Sequence, residues 1–158
     1  MSNATALIAD ETRRPYTTKQ IGDATEMLVA AELTLAGIPA IKVPDMWPGY
    51  DIIAQPAGLP LQRISVKART HKKANYITYN CRDQFDWLAV VLLMPQCGRR
   101  SVFIIPRPES DLHARRDKET SKTANLRYFT AEEIERKFAR FEANFILSET
   151  GKLFRGDS

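Results

Sequence analysis

Residues 49–69 read GYDIIAQPAGLPLQRISVKAR, and they predict the fold of this chain. Tyr50 to Ala54 is an apolar run that holds one acid, Asp51, near its start. Leu61 to Ala68 alternates apolar and polar residues, which is typical of a half-buried β-strand. The intervening PAGLP turns the chain back. The stretch therefore predicts a β-hairpin with Asp51 on its first strand and Lys67 on its second.

A helix is predicted before the hairpin. Thr17 and Gln20 have the spacing of a capping box, so the helix begins there and runs to about Ala36. Gly37 supplies a left-handed C-cap, and Pro39 prevents continuation. Because apolar residues lie around most of its circumference, we expect this helix to be largely buried.

The remaining elements complete a sheet. Short strands are expected at Ile38–Val43 and, as an extended piece, at Asn75–Tyr79. Phe85–Met94 (FDWLAVVLLM) predicts a central strand buried on both faces, and Ser101–Pro106 predicts its neighbour. The order of helix, strands and helix predicts an α/β fold, a mixed β-sheet flanked by helices.

The flanking segments differ in character. Residues 1–15 lack periodicity and are interpreted as a loose N-terminal arm before a single domain at 16–158. Residues 107–127 are charged and aperiodic, which favours an exposed loop. Thr130 to Glu133 then caps a last helix that ends near Asn144.

Composition narrows the class of protein. No apolar run approaches the roughly 18 residues of a membrane span, so we expect no membrane-spanning segment. The start of the sequence has no signal-peptide pattern, so we expect a cytoplasmic protein. Cys81 and Cys97 are expected as ordinary thiols, and with only two histidines the chain shows no zinc-ligand spacing.

The charge is unevenly distributed over a chain with net charge +4. No acid lies between Asp51 and Asp83, and a second basic tract covers 99–127. Clustered cations suit a polyanion, because each one placed against a phosphate releases counterions. From charge alone, a solvated basic surface remains an equal alternative.

Three motifs combine into one pattern. Gly22 and Glu26 form G-x-x-x-E on the helix, Asp51 lies on the first hairpin strand, and Lys67 on the second. In this order the chain resembles the PD-(D/E)XK nuclease superfamily, and is similar to archaeal Holliday-junction resolvases and related stand-alone nuclease-like proteins. The resemblance implies a restriction-endonuclease-like fold. It also implies a catalytic site of Glu26, Asp51, Ser65 and Lys67, with Mg²⁺ or Mn²⁺ on Glu26, Asp51 and the Val66 carbonyl.

One position departs from the family pattern. Ser65 stands where the family has an acid, and a neutral hydroxyl is a poor ligand for a hard cation. Weaker metal binding, a compensating acid (Asp45 or Asp83) and an inactive descendant all stay open. Glu32 is a second candidate for the buried helix acid.

We therefore expect a metal-dependent DNA endonuclease with little sequence specificity of its own. The alternative is a catalytically inactive module that binds DNA or a protein partner; a protein-binding factor without DNA affinity is a third. A homodimer is left open. The cations expected to contact DNA are Arg63, Arg69, Lys72, Lys73, Arg115 and Arg116. Trp47, Tyr76 and Tyr79 either stack on bases or pack in the core.

Overall fold

A computed structural model describes residues 16–71, 75–94 and 97–152. The predicted arm at 1–15, together with Lys72 and Lys73, lies outside the described residues. The elements, in chain order, are α1 (Thr18–Leu35), β1 (Ala40–Lys42), β2 (Ile52–Ala54), β3 (Gln62–Thr70), β4 (Tyr76–Asn80), β5 (Trp87–Met94), β6 (Arg99–Pro106), α2 (Arg107–His113), β7 (Leu126–Thr130), α3 (Ala131–Lys137) and a 3₁₀ turn (Ala139–Phe141).

The main sheet has five strands in the order β1-β2-β3-β5-β6. β3 and β5 are parallel, whereas every other neighbouring pair is antiparallel. The apolar run of β5 is buried over its first six residues, which explains its place inside the sheet. The predicted α/β class, with a mixed sheet flanked by helices, is confirmed. Within the described residues, no helix is long and apolar enough to cross a membrane.

Two apolar cores lie on opposite faces of this sheet. The first, under α1, includes Val29, Leu33 and Ile64. The second lies beneath a separate two-stranded sheet, β4 with β7, and includes Ile77 and Phe129. β5 contributes to both cores, because its successive side chains point to opposite faces.

α1 is less buried than its sequence predicts. The capping box of Thr17 and Gln20 is present, but only Thr25, Val29, Ala30 and Leu33 are buried. Leu35, in the last turn, is 83% exposed. A helix packed on one face of a sheet buries one stripe only, and the apolar residues elsewhere on α1 stay outside the core.

The expectation of a loop over 107–127 is wrong at both of its ends. The segment begins with α2, whose seven residues are too few to show a helical period. Arg107 anchors α2 through a contact over the Phe85 ring and hydrogen bonds to Asp111. The segment ends in β7, which pairs with the distant β4.

The C-terminal segment covers an edge of the main sheet. The predicted last helix is divided into α3, capped by Thr130 as expected, and the 3₁₀ turn. The chain then runs along β6, where the buried Asn144 donates a hydrogen bond to the Ile104 carbonyl at 3.0 Å. Leu147 finally joins the core under α1. Covering an edge strand in this way protects it from pairing with other chains.

Candidate active site

β2 and β3 diverge at the point where the candidate residues lie. β2 pairs with β3 only from Ile64 back to Gln62. The Asp51 N–H still donates to the Ile64 carbonyl at 2.9 Å, and beyond it the two strands separate. Gly49, at φ +87°, takes the preceding chain away in a conformation that favours glycine. The result is a fork beside the second half of β3.

The Asp51 side chain fills this fork. Its Oδ2 accepts a hydrogen bond from the Val66 N–H at 2.7 Å. The N–H and C=O of one residue point to the same side of a strand, so the Val66 carbonyl faces the side on which Asp51 lies. The structure therefore brings together two of the three predicted metal ligands.

Glu26 approaches the fork from α1, with its side chain 18% exposed. Burial raises the pKa of the Glu26 carboxyl, and the negative charge of Asp51 raises it further. Two carboxylates that repel each other in a partly buried place are typical of a cation site. Gly22, one turn earlier, has open space around its Cα, so the structure gives this glycine no steric role in positioning Glu26.

Glu26 forms an ion pair with a lysine, Lys42, that the sequence patterns did not indicate. The Lys42 ammonium lies 3.3 Å from Glu26 Oε2, 2.8 Å from Asp23 Oδ1 and 3.2 Å from Asp45 Oδ1. These contacts, the Asp23 hydrogen bond first, raise the pKa of Lys42. Lys19 also pairs with Asp23 and Asp45. In the sequence, this cluster is indicated only by Asp23, which lies three residues before Glu26 on the same helix.

Asp45, one of the candidate replacement acids, belongs to this cluster and not to the fork. Ligand oxygens of Asp23, Glu26 and Asp45 lie within 4.8 Å of one another, a spacing that suits a metal ion. Yet the Lys42 ammonium contacts all three, and the two lysines lower the pKa of both aspartates. A metal bound there would have to displace an ammonium, because two lysines already compensate most of the charge of the three acids.

The fork fits a hard divalent cation better. Two carboxylates, Glu26 and Asp51, and the Val66 carbonyl are oxygen donors of the kind that Mg²⁺ and Mn²⁺ prefer. Among the described residues, no lysine or arginine forms an ion pair with Asp51. Its negative charge is therefore available to a cation.

Lys67 follows directly after Val66 on β3 and is half-buried. No carboxylate of the described chain forms an ion pair with it. Its neighbours line a cleft of about 510 Å³ between the start of α1 and the second half of β3. The cleft residues include Thr18, Ile21, Gly22, Thr25, Val66, Lys67 and Arg69. An unpaired lysine at such a cleft can donate hydrogen bonds to an anion.

Neither Ser65 nor the remaining candidate acids, Asp83 and Glu32, add a carboxylate to the fork. Ser65 is 3% exposed and lies opposite Leu88 of β5 in the register. Asp83 caps the turn after β4, where its Oδ2 accepts from the Asn80 N–H at 3.0 Å. Glu32 is half-buried two turns along α1 from Glu26. Among the described residues, the fork therefore has two carboxylates, Glu26 and Asp51.

The four arginines predicted to contact DNA that lie among the described residues already have protein partners. Arg63 pairs with Asp86, and Arg115 with Glu133. Arg69 donates to the Tyr76 carbonyl at 3.1 Å, and Arg116 to the Asp111 carbonyl at 3.2 Å. These contacts hold the guanidinium groups in place at the surface without excluding a phosphate.

The aromatic residues divide between core and surface. Tyr79 is 2% exposed and packs in the second core, and Trp87, at 5%, packs in the first. Tyr76 and Trp47 are nearly half-exposed, at 46% and 48%. Only the latter two therefore remain available to a ligand.

No protein-family model and no curated protein matches the sequence. Among solved structures, the chain is similar to a bacterial homing endonuclease at 17% identity and a TM-score of 0.46, over 58% of this chain and 70% of that one. It is also similar to Hjc, a Holliday junction resolvase from the archaeal hyperthermophile Archaeoglobus fulgidus. There the identity is 19% and the TM-score 0.44, over 72% of this chain and 90% of that one. Because both identities and both TM-scores are low, we interpret the site from the geometry of this chain itself.

Proposed function

We propose that this protein is a metal-dependent DNA endonuclease whose site is the fork between β2 and β3. The observation that carries the proposal is the pairing of two acids there. Asp51 is fixed by the Val66 N–H, and Glu26 lies near enough for the charge of Asp51 to raise its pKa. Two neighbouring carboxylates repel each other, so their proximity does not stabilise the fold by itself. A bound cation would relieve this repulsion.

Each residue of the site has a distinct task. Glu26, Asp51 and the Val66 carbonyl hold the cation, and the Val66 N–H keeps Asp51 in one rotamer. A bound Mg²⁺ or Mn²⁺ supplies charge neutralisation at the phosphate and a lowered pKa for water. Lys67 donates hydrogen bonds to a phosphoryl oxygen, and these strengthen as negative charge develops.

Lys42 acts through Glu26 and is a positioning residue. Its ammonium lies 3.3 Å from one oxygen of Glu26, Oε2. Its positive charge also opposes the rise in the pKa of Glu26. Lys42 therefore orients Glu26 and opposes the effect of burial on the pKa of its carboxyl.

DNA is the proposed substrate because the chain is basic and its cations lie along β3 and the 99–127 tract. Contacts from Arg63, Arg69 and Arg115 to phosphates position a duplex without reading its sequence. We accordingly propose cleavage with little sequence specificity.

Ser65 favours one other function, an inactive module that keeps the fold and binds DNA. With Asp45 neutralised by two lysines and Asp83 capping a turn, nothing in the described chain replaces the missing acid at the fork. The inactive module predicts DNA binding that survives chelation of metal, with no cutting of any substrate.

A cleavage assay separates the two functions. Supercoiled, linear and branched DNA are incubated with Mg²⁺, Mn²⁺ or a chelator, using the wild type, Asp51→Asn, Lys67→Met and the control Glu119→Gln, which alters an exposed acid outside the site. The nuclease predicts metal-dependent cutting that both site variants lose and the control keeps. DNA binding without cutting under every condition would establish the inactive module.

A further inference from the structure

The turn that leads into Asp51, residues Pro44–Tyr50, exposes two large apolar side chains. Met46 is 94% exposed and Trp47 is 48% exposed. Isolated exposed apolar residues are common, but two adjacent ones in the turn that leads directly into Asp51 call for a functional reason.

The turn is held in one conformation from both ends. The Trp47 N–H donates to the Pro44 carbonyl at 2.9 Å, and Asp45 forms ion pairs with Lys19 and Lys42. At the far end, a Cβ on Gly49 would lie 3.0 Å from the Gln84 nitrogen, so the turn packs closely on its neighbour. The two apolar side chains are therefore presented by a fixed backbone.

The Trp47 ring is oriented by contact with the site. The Trp47 and Tyr50 rings pack edge to face, with their centroids 6.2 Å apart. Tyr50 directly precedes Asp51, and Asp45 shares Lys42 with Glu26. The turn thus leads directly into Asp51 and is joined to Glu26 through Lys42.

An arginine lies in the neighbouring turn, on which Gly49 packs. Arg82 is exposed in the 81–84 turn on which Gly49 packs, and no acid of the described residues forms an ion pair with it. An exposed indole, a thioether and an unpaired guanidinium together match a nucleotide, which offers a flat base and a phosphate.

We propose that Trp47 and Met46 form a stacking platform for an unstacked nucleobase of DNA beside the phosphate to be cut. The inference rests on the proposed function and names its substrate class, DNA with unpaired or splayed nucleotides at the cleavage point. A base within a regular duplex is already stacked on both faces and cannot lie on an indole. Branched, flapped or single-stranded DNA presents such a base.

Binding without metal tests the platform separately from cutting. The wild type in chelator is titrated with single-stranded, branched and blunt duplex oligonucleotides while tryptophan fluorescence is followed. Trp87 is buried, so quenching of the emission reports on Trp47. We expect quenching by single-stranded and branched DNA and little by the duplex. Trp47→Ala should lower affinity for the unpaired substrates roughly 10-fold, and Trp47→Phe should retain most of it.

Tyr16→Ala is the matched control, because Tyr16 is equally exposed but lies ahead of α1, outside both the fork and the 44–50 turn. It should bind all three substrates as the wild type does. An equal loss on duplex and unpaired DNA with Trp47→Ala, or no loss, would overturn the platform; no loss would assign the exposed pair to another occupant, such as a protein. Trp47-dependent binding in a protein that never cuts would retain the platform and reject the nuclease.

Discussion

Two glutamates on helices, Glu26 of α1 and Glu133 of α3, are both poorly exposed and yet have opposite environments. Glu133, with its side chain 5% exposed, pairs with Arg115 at 2.9 Å and Lys137 at 3.0 Å. It also accepts a hydrogen bond from the Thr130 N–H. Glu26, at 18%, has one lysine at 3.3 Å and the negative charge of Asp51 nearby.

Burial acts to raise the pKa of both carboxyl groups, and the neighbouring charges and hydrogen bonds determine whether the net shift is upward or downward. Burial works to raise the pKa of Glu133, but Lys137, the Thr130 N–H and Arg115 together lower it. Burial also raises the pKa of Glu26, Asp51 adds to the rise, and Lys42 alone does not reverse it. Glu133 is thus an acid that stabilises the fold, whereas the environment of Glu26 is the one expected of the proposed cation ligand.

The largest contrast is expected in DNA cleavage. Glu26→Gln removes a ligand of the proposed metal and should slow cutting by roughly 100-fold or more, the scale seen when a single stabilising group is removed. Glu133→Gln should leave the rate nearly unchanged, because this residue lies away from the fork. Cleavage rates at saturating Mn²⁺ measure both. Equal losses in the two variants would end the distinction between them.

For the stability of the fold, the order of the two variants should be reversed, and Glu133→Gln should have the larger effect. Glu133→Gln leaves Lys137 and Arg115 without their charged partner and should cost about 1–3 kcal/mol of unfolding free energy. Glu26→Gln relieves the repulsion with Asp51 and should raise stability at neutral pH by less than about 1 kcal/mol. Urea unfolding of the metal-free variants measures both effects. Destabilisation by Glu26→Gln as large as that by Glu133→Gln would show that Glu26 is structural.

The pH dependence of stability sharpens the same contrast. The lowered pKa of Glu133 means that its contribution is present above the usual value of 4.5 and is lost as pH falls through the folded pKa. For Glu26 the raised pKa means that stability is greatest below 4.5 and falls as pH rises through the folded pKa. Unfolding free energies across this range should show both differences from wild type shrinking in acid. A difference for either variant that does not change with pH would contradict its assignment.

The smallest effect is expected at Lys42. Without its ammonium, the pKa of Glu26 rises further, so Lys42→Met should reduce cutting about 5- to 10-fold at neutral pH and less in mildly alkaline solution. Lys42→Arg should restore most of the activity, and Lys19→Met, which leaves Glu26 untouched, should change little. A pH profile of kcat/KM provides the measurement. A loss that is equal at every pH would mean that Lys42 acts on the fold and not through Glu26.

Local signals predicted much of this molecule. The capping boxes at Thr17 and Thr130, the hairpin and the apolar β5 all depend on residues close in sequence, and each is present in the structure. The trio of Glu26, Asp51 and Lys67 followed from the ordered motif, although its assignment as a catalytic site remains a prediction.

Features that depend on packing between distant segments were not predictable. The contact of Lys42 with Glu26 requires β1 to lie beside α1, and no pattern in either segment states that. The pairing of β4 with β7 joins segments about fifty residues apart, and α2 is too short to show a period. The ion pairs of Asp45 with Lys19 and Lys42 were not predictable for the same reason, because only the fold brings the two lysines to it.

The most direct test of the fork is a crystal soaked in Mn²⁺, with an anomalous difference map that locates the ion. We predict one peak between Glu26 and Asp51, in contact with the Val66 carbonyl, and its loss in Asp51→Asn. A peak only among Asp23, Glu26 and Asp45 with Lys42 displaced, or no peak at a Mn²⁺ concentration that supports cutting, would contradict it.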